Sequence, residues 1–141
     1  MRYVVIITLM GALLSACHEE EPTTICCFEP AGAAHYYINN QTSSEITFSF
    51  VTSEELGSQL IDSLPPIASR ISVKILEDGI IGVNPQPSNS LKSLSIVRTD
   101  NGLGYQISRI DDDSWETTSR DFEAGEYGLT NYQLTINDSD F

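Results

Sequence analysis

EITFSFVT, residues 45–52, decides the fold. Ile46, Phe48 and Phe50 share one face, while Thr47, Ser49 and Val51 share the other. Strict alternation of this kind marks a strand with one side buried. A helix would throw Phe48 and Phe50 to opposite sides of its axis, where one core could not cover both.

Working outward, HYYINN (35–40) precedes this strand and QTSSE (41–45) separates the two, which reads as a hairpin. Downstream, Pro65-Pro66 turns the chain into SRISVKIL (69–76), where Ile71, Val73 and Ile75 again face one way. LKSLSIVR (91–98) and LGYQISRI (103–110) flank Asp100-Asn101-Gly102, and Asn and Gly supply the positive φ of a tight hairpin. NYQLTIN (131–137) closes the series with Tyr132, Leu134 and Ile136 inward. The one helical window is SEELGSQLIDSL (53–64), with Leu56, Leu60 and Leu64 every four residues; Gly57 and Pro65 weaken it, and a bent strand is the competing reading. Six or seven strands joined by regular turns specify an all-β domain: a single antiparallel immunoglobulin-like β-sandwich over residues 35–141, following a flexible acidic tether. No cysteine follows residue 27, so no disulfide staples this sandwich.

The chain before it has a different character. Arg2 is the only basic side chain ahead of the apolar run Tyr3 to Ala16, which is about six residues short of a bilayer-spanning helix. A basic start, an apolar centre and small residues at the end make residues 1–16 a secretory signal peptide, set aside from fold reasoning. Residues 17–34, CHEEEPTTICCFEPAGAA, hold two prolines and four acids with no period of 2 or 3.6, which is the composition of a linker. Fully extended it would reach about 55 Å.

Leu14-Ser15-Ala16-Cys17 resembles the lipobox of bacterial lipoproteins, matching at all four positions. The resemblance implies recognition of Leu14, Ser15 and Ala16 by signal peptidase II, cleavage before Cys17, and a diacylglyceryl thioether on the Cys17 sulfur. Two or three acyl chains anchor a protein stably where one does not. His18 rather than aspartate follows the cysteine, and in enteric lipoproteins that implies sorting to the outer membrane. Glu19, Glu20 and Glu21 resemble the acidic signal that sends Bacteroidota lipoproteins to the cell surface; the plainer reading is that they only keep the linker extended and soluble, and a periplasmic face is the alternative location. Cys26 and Cys27 remain open between a vicinal or intermolecular disulfide, inert or acylated thiols, and a metal site short of ligands.

Removal of the leader leaves six Lys and Arg against twenty Asp and Glu, a formal charge of −14. Phosphate backbones repel such a surface, so nucleic acid is excluded as a partner, and membrane attachment falls to the lipid. Catalytic constellations fail on inventory. A serine triad needs a histidine, and His35 sits in the first strand beside Tyr36 and Tyr37. DGIIGVNP (78–85) lacks the lysine and helix of a phosphate loop. No catalytic residue and no cofactor is assigned.

The most site-like loop is RIDDDSWETT (109–118). Asp111, Asp112, Asp113 and Glu116 offer oxygen ligands for calcium without the alternating positions and central glycine of an EF-hand, so a solvated turn is the plainer reading. Trp115 is either a cap on the core or a stacking surface for a ligand. The mature part resembles small acidic Bacteroidota lipoproteins in CHEEE, the Pro-Pro turn, IDDDSWE and the final NDSDF. That resemblance suggests a class and carries no known site; the leading expectation is a non-enzymatic, surface-displayed binding or envelope-assembly module, held at the membrane by its lipid, with a protein or glycan partner. The alternatives are a structural envelope component and a hydrolase.

Overall fold

A computed structural model describes residues 31–122 and 126–141. The leader, Cys17, Glu19–Glu21, Cys26 and Cys27 lie outside the described residues. Eight strands are present: β1 (Ala31–Asn40), β2 (Ile46–Thr52), β3 (Leu60–Ile61), β4 (Ser72–Ile81), β5 (Leu91–Arg98), β6 (Gly104–Ile107), β7 (Glu116–Asp121) and β8 (Leu129–Ile136). A four-residue helix, α1 (Pro87–Ser90), and two short 3₁₀ turns, Asp112–Ser114 and Asp138–Asp140, complete the order.

The strands form two four-stranded sheets, β4-β1-β8-β7 and β3-β2-β5-β6, that share one core. Alternation explains which side chains enter it: Ala34, Tyr36 and Ile38 from β1, Ile46, Phe48 and Phe50 from β2, Leu91, Leu94 and Ile96 from β5, and Tyr132, Leu134 and Ile136 from β8 are all buried. The all-β, two-sheet expectation therefore holds at this level.

Four details differ from the sequence reading. First, β1 starts at Ala31, so residues 31–34 belong to the domain and not to the tether. Second, β1 and β2 are not a hairpin. They lie in different sheets, and the chain crosses over at a buried polar corner where the Asn40 amide donates to the Ser44 and Ile67 carbonyls at 2.9 Å and accepts from Thr42 N and Oγ1 at 3.0 and 2.8 Å. Those bonds replace the ladder that a hairpin would have supplied. Third, β1 pairs with β8 in parallel, register Ala33↔Leu129 to Asn40↔Ile136, so that sheet is mixed rather than purely antiparallel. Fourth, residues 53–64 are neither helix nor one bent strand. Thr52 N bonds Gln59 O at 2.9 Å and Gln59 N bonds Thr52 Oγ1 at 2.8 Å, closing a loop that ends in the two-residue β3.

The β5–β6 hairpin forms where the sequence places it, but only Gly102, at φ 72° with its N bonded to Arg98 O, takes the positive φ; Asn101 does not. Gly32 serves a different need. Its amide bonds Val83 O at 3.1 Å, and a Cβ there would strike that oxygen and Asn84 Cα. Among the described residues no helix is long and apolar enough to cross a membrane.

Candidate functional site

A cleft of about 710 Å³ opens between α1 with the start of β5 and the loop joining β6 to β7, lined by Ser88, Leu91, Lys92, Arg109, Ile110 and Asp111–Asp113. Each wall has a local cause. Pro87 at the head of α1 presets its φ, and Gln86 and Asn89 cap it reciprocally. At the other end the β2–β5 register jumps from Val51↔Ser93 to Thr52↔Leu91, leaving Lys92 unopposed. This bulge turns an exposed ammonium to the cleft while Leu91 stays buried.

The opposite wall is pinned by its own acids. Asp112 accepts from Ser88 N and Oγ at 2.7 and 2.8 Å, tying the loop to α1. Asp111 accepts from Asp113 N at 3.2 Å and caps the 3₁₀ turn. Ile110 and Trp115 bracket the acidic run and are both buried, so the loop is nailed down at each end by an apolar side chain. Leu91 and Ile110 form an apolar floor beneath a mixed-charge rim.

Two of the four carboxylates read as calcium ligands are engaged within the protein. Asp112 is spent on Ser88 and Asp111 on the turn, Glu116 begins β7, and among the described residues no three His, Cys, Asp or Glu converge as a metal site. Trp115 offers no stacking surface: it is 5% exposed and packs edge-on against Tyr36 at 6.0 Å between centroids. Of the residues singled out in the loop, the structure brings Asp111–Asp113 to the cleft and sends Trp115 behind it. Lys92, Arg109 and Ser88 were missed. For Lys92 the only signal was that a lone cation in an acidic chain stood at the start of a strand.

Behind the cleft, a polar relay ties α1 to the sheet that holds β1 and β4. Ser90 Oγ donates to Asp78 Oδ2 at 2.6 Å, which uses its one hydrogen, so at 2.7 Å it accepts from Tyr36 OH. Burial raises the Tyr36 hydroxyl well above the ordinary phenol value; the bond to Ser90 offsets part of that, and Asp78 adds to it. Ser90 is fully buried and His35 stands on the outer face of its sheet, 3.6 Å from Glu77. With Ser90 fully buried, the serine and carboxylate here bridge α1 to β4.

Cations are scarce enough for their pairing to matter. Lys74 is held by Glu77 at 2.6 Å, and Arg98 by Asp100 and Asp138 at 2.7 Å each. Lys92 meets Glu54 only at 3.6 Å, and Arg109 has no ion pair among the described residues. The cleft therefore carries Arg109 without an ion pair among the described residues and Lys92 only loosely paired, beside Asp111 and Asp112, whose carboxylates are engaged within the loop and with Ser88.

Fold and site together define a small acidic all-β protein with two sheets and a mixed-charge cleft at one end. Comparison with protein-family models, curated proteins and solved structures found no match.

Proposed function

We propose that this chain is a lipoprotein, anchored through Cys17, that displays a non-enzymatic binding module on the outer membrane at the cell surface. The observation that carries the binding reading is the cleft, where Lys92 and Arg109 stand over the apolar floor of Leu91 and Ile110. A ligand bearing a negative group beside a short apolar part fits that lining, and a peptide or an acidic glycan supplies both. The domain architecture we propose is immunoglobulin-like, supported by the two four-stranded sheets around one core and by the first strand running parallel to the last.

The structural-component alternative is favoured less. It calls for an open sheet edge, and the longest edge strand, β4, is broken by a bulge opposite Tyr36/Tyr37 and carries Lys74, Glu77 and Asp78, devices that discourage strand addition.

Affinity capture from intact cells tests the binding reading, using the wild type and a Lys92→Glu/Arg109→Glu variant of matched thermal stability. Loss of a captured partner from the variant supports it. An unchanged set of partners overturns the assignment to this cleft. Cys17→Ala tests the anchor: it should abolish labelling by a palmitate analogue and release the chain from membranes, and continued membrane fractionation would contradict the lipobox.

A further inference from the structure

The end of the domain at which the chain enters β1 carries an apolar surface that neither the core nor the cleft uses. Ile81 is 63% exposed, Val83 44% and Phe122 39%. They belong to one neighbourhood. Ile81 pairs with Ala31, Val83 bridges Ile80 and receives the Gly32 amide, and Phe122 lies against Gly128, whose amide bonds the Asn84 side chain at 3.2 Å. All three therefore surround the first residues of β1.

We propose that Ile81, Val83 and Phe122 form a foot that rests on the bilayer to which the chain is anchored. The inference depends on lipidation of Cys17. Only fourteen residues, Cys17 to Pro30, separate the anchor from Ala31, so even full extension keeps the foot within about 50 Å of the lipid. A surface held at that distance sees the membrane at a high effective concentration, and a contact too weak to recruit a free protein then becomes populated. The occupant is the neutral interfacial zone rather than an anionic headgroup: the mature chain is formally −14, and the stretches that carry the foot, 79–84 and 121–129, hold no Lys or Arg but three acids, Asp121, Glu123 and Glu126. Isoleucine, valine and phenylalanine are suited to shallow burial at that boundary. Seated this way, the domain holds a defined orientation.

The opposite end supplies an internal control. Leu103 is 49% exposed in the β5–β6 turn, next to Arg98. Arg98 pairs with Ile46, the residue that opens β2 just after β1 has ended. An equally apolar side chain thus stands at the far end of the molecule.

Lipidated protein purified from membranes, carrying either Val83→Trp or Leu103→Trp, is reconstituted into phosphatidylcholine vesicles with brominated acyl chains, which quench indole fluorescence at short range. The parent, with buried Trp115 alone, sets the baseline. The expected result is at least twofold stronger quenching at 83 than at 103, lost when Ile81→Ser and Phe122→Ser are added to the Val83→Trp chain. Equal quenching at both positions, or none at 83, overturns the proposal. Blue-shifted but unquenched emission at 83 also overturns it, because residues 25–28 or a second copy then cover the patch instead. Chain that fails to partition into the vesicles at all contradicts lipidation, a result distinct from a foot that stays off the membrane.

Discussion

Replacing Asn40 should remove more stability than its size suggests, because it is fully buried at the point where the chain passes between the sheets. Alanine deletes four hydrogen bonds, but the damage is uneven. The single Thr42 hydroxyl hydrogen, no longer drawn to Asn40, can go to the Ser44 carbonyl 2.7 Å away, and the Ile67 carbonyl keeps Ile46 N at 3.0 Å. Thr42 N, in a buried residue, loses its side-chain acceptor. One orphaned buried donor costs about 1–3 kcal/mol and each of the two lost amide bonds about 1 kcal/mol. The sum is about 3–5 kcal/mol, a large part of the roughly 5–15 kcal/mol that holds a domain together. Asn40→Asp sharpens the test by keeping the shape and the acceptor for Thr42 while setting an oxygen 2.9 Å from two carbonyls. Its carboxyl should titrate above the ordinary range when folded. The variant should then be near its best below about pH 4 and lose about 1.4 kcal/mol per pH unit above it, until the folded group ionises or the protein unfolds. Urea unfolding followed by Trp115 fluorescence at pH 4 and pH 7 measures both variants. An aspartate variant as stable as the wild type at pH 7 would refute a dry, fully satisfied corner.

Three shorter expectations follow from other parts of the molecule. Because burial raises the Tyr36 hydroxyl, its contribution is complete below pH 10 and declines as pH rises further; Tyr36→Phe should show a shallower loss of Tm above pH 10 than the wild type, and parallel curves would place the proton elsewhere. Gly32→Ala drives a Cβ into the Val83 carbonyl and to 2.6 Å from Asn84 Cα, so it should cost more than about 2 kcal/mol and expose β1 to amide exchange, whereas a change within experimental error would mean the 82–84 turn yields freely. Changing Glu19, Glu20 and Glu21 together to alanine, with Cys17 still lipidated, should leave the chain in the outer membrane but shield it from protease added to intact cells; unchanged cleavage would make the acidic run a spacer only.

The period of two in residues 46–50, 91–98 and 131–137 made β2, β5 and β8 legible, because burial on one face leaves a direct trace in residue order. Pairing left none. That β1 lies between β4 and β8, parallel to the latter, follows from how two sheets close around a shared core, and alternation names no partner. Ala31–Ala34 looked like linker since alanine and glycine have little preference for strands, yet two neighbouring strands hold them. Asn40, Thr42 and Ser44 looked like hairpin punctuation, since a polar corner and a polar turn use the same residues. β7, ETTSRD, is exposed throughout and so carries no hydrophobic trace. The acidic loop was visible as composition, but its meaning depended on Ser88, twenty-four positions from Asp112 in sequence, and on a bulge at Lys92 that only the register reveals.

The central claim is that Cys17 anchors the domain that carries the cleft, and the mass of the N-terminal peptide tests it most directly. Protein isolated from membranes and digested should yield a first peptide that begins at Cys17 and carries a diacylglyceryl thioether, with or without an amide-linked third chain. A first peptide that retains residues 1–16, or one that begins elsewhere and leaves the Cys17 thiol unmodified, would contradict the account.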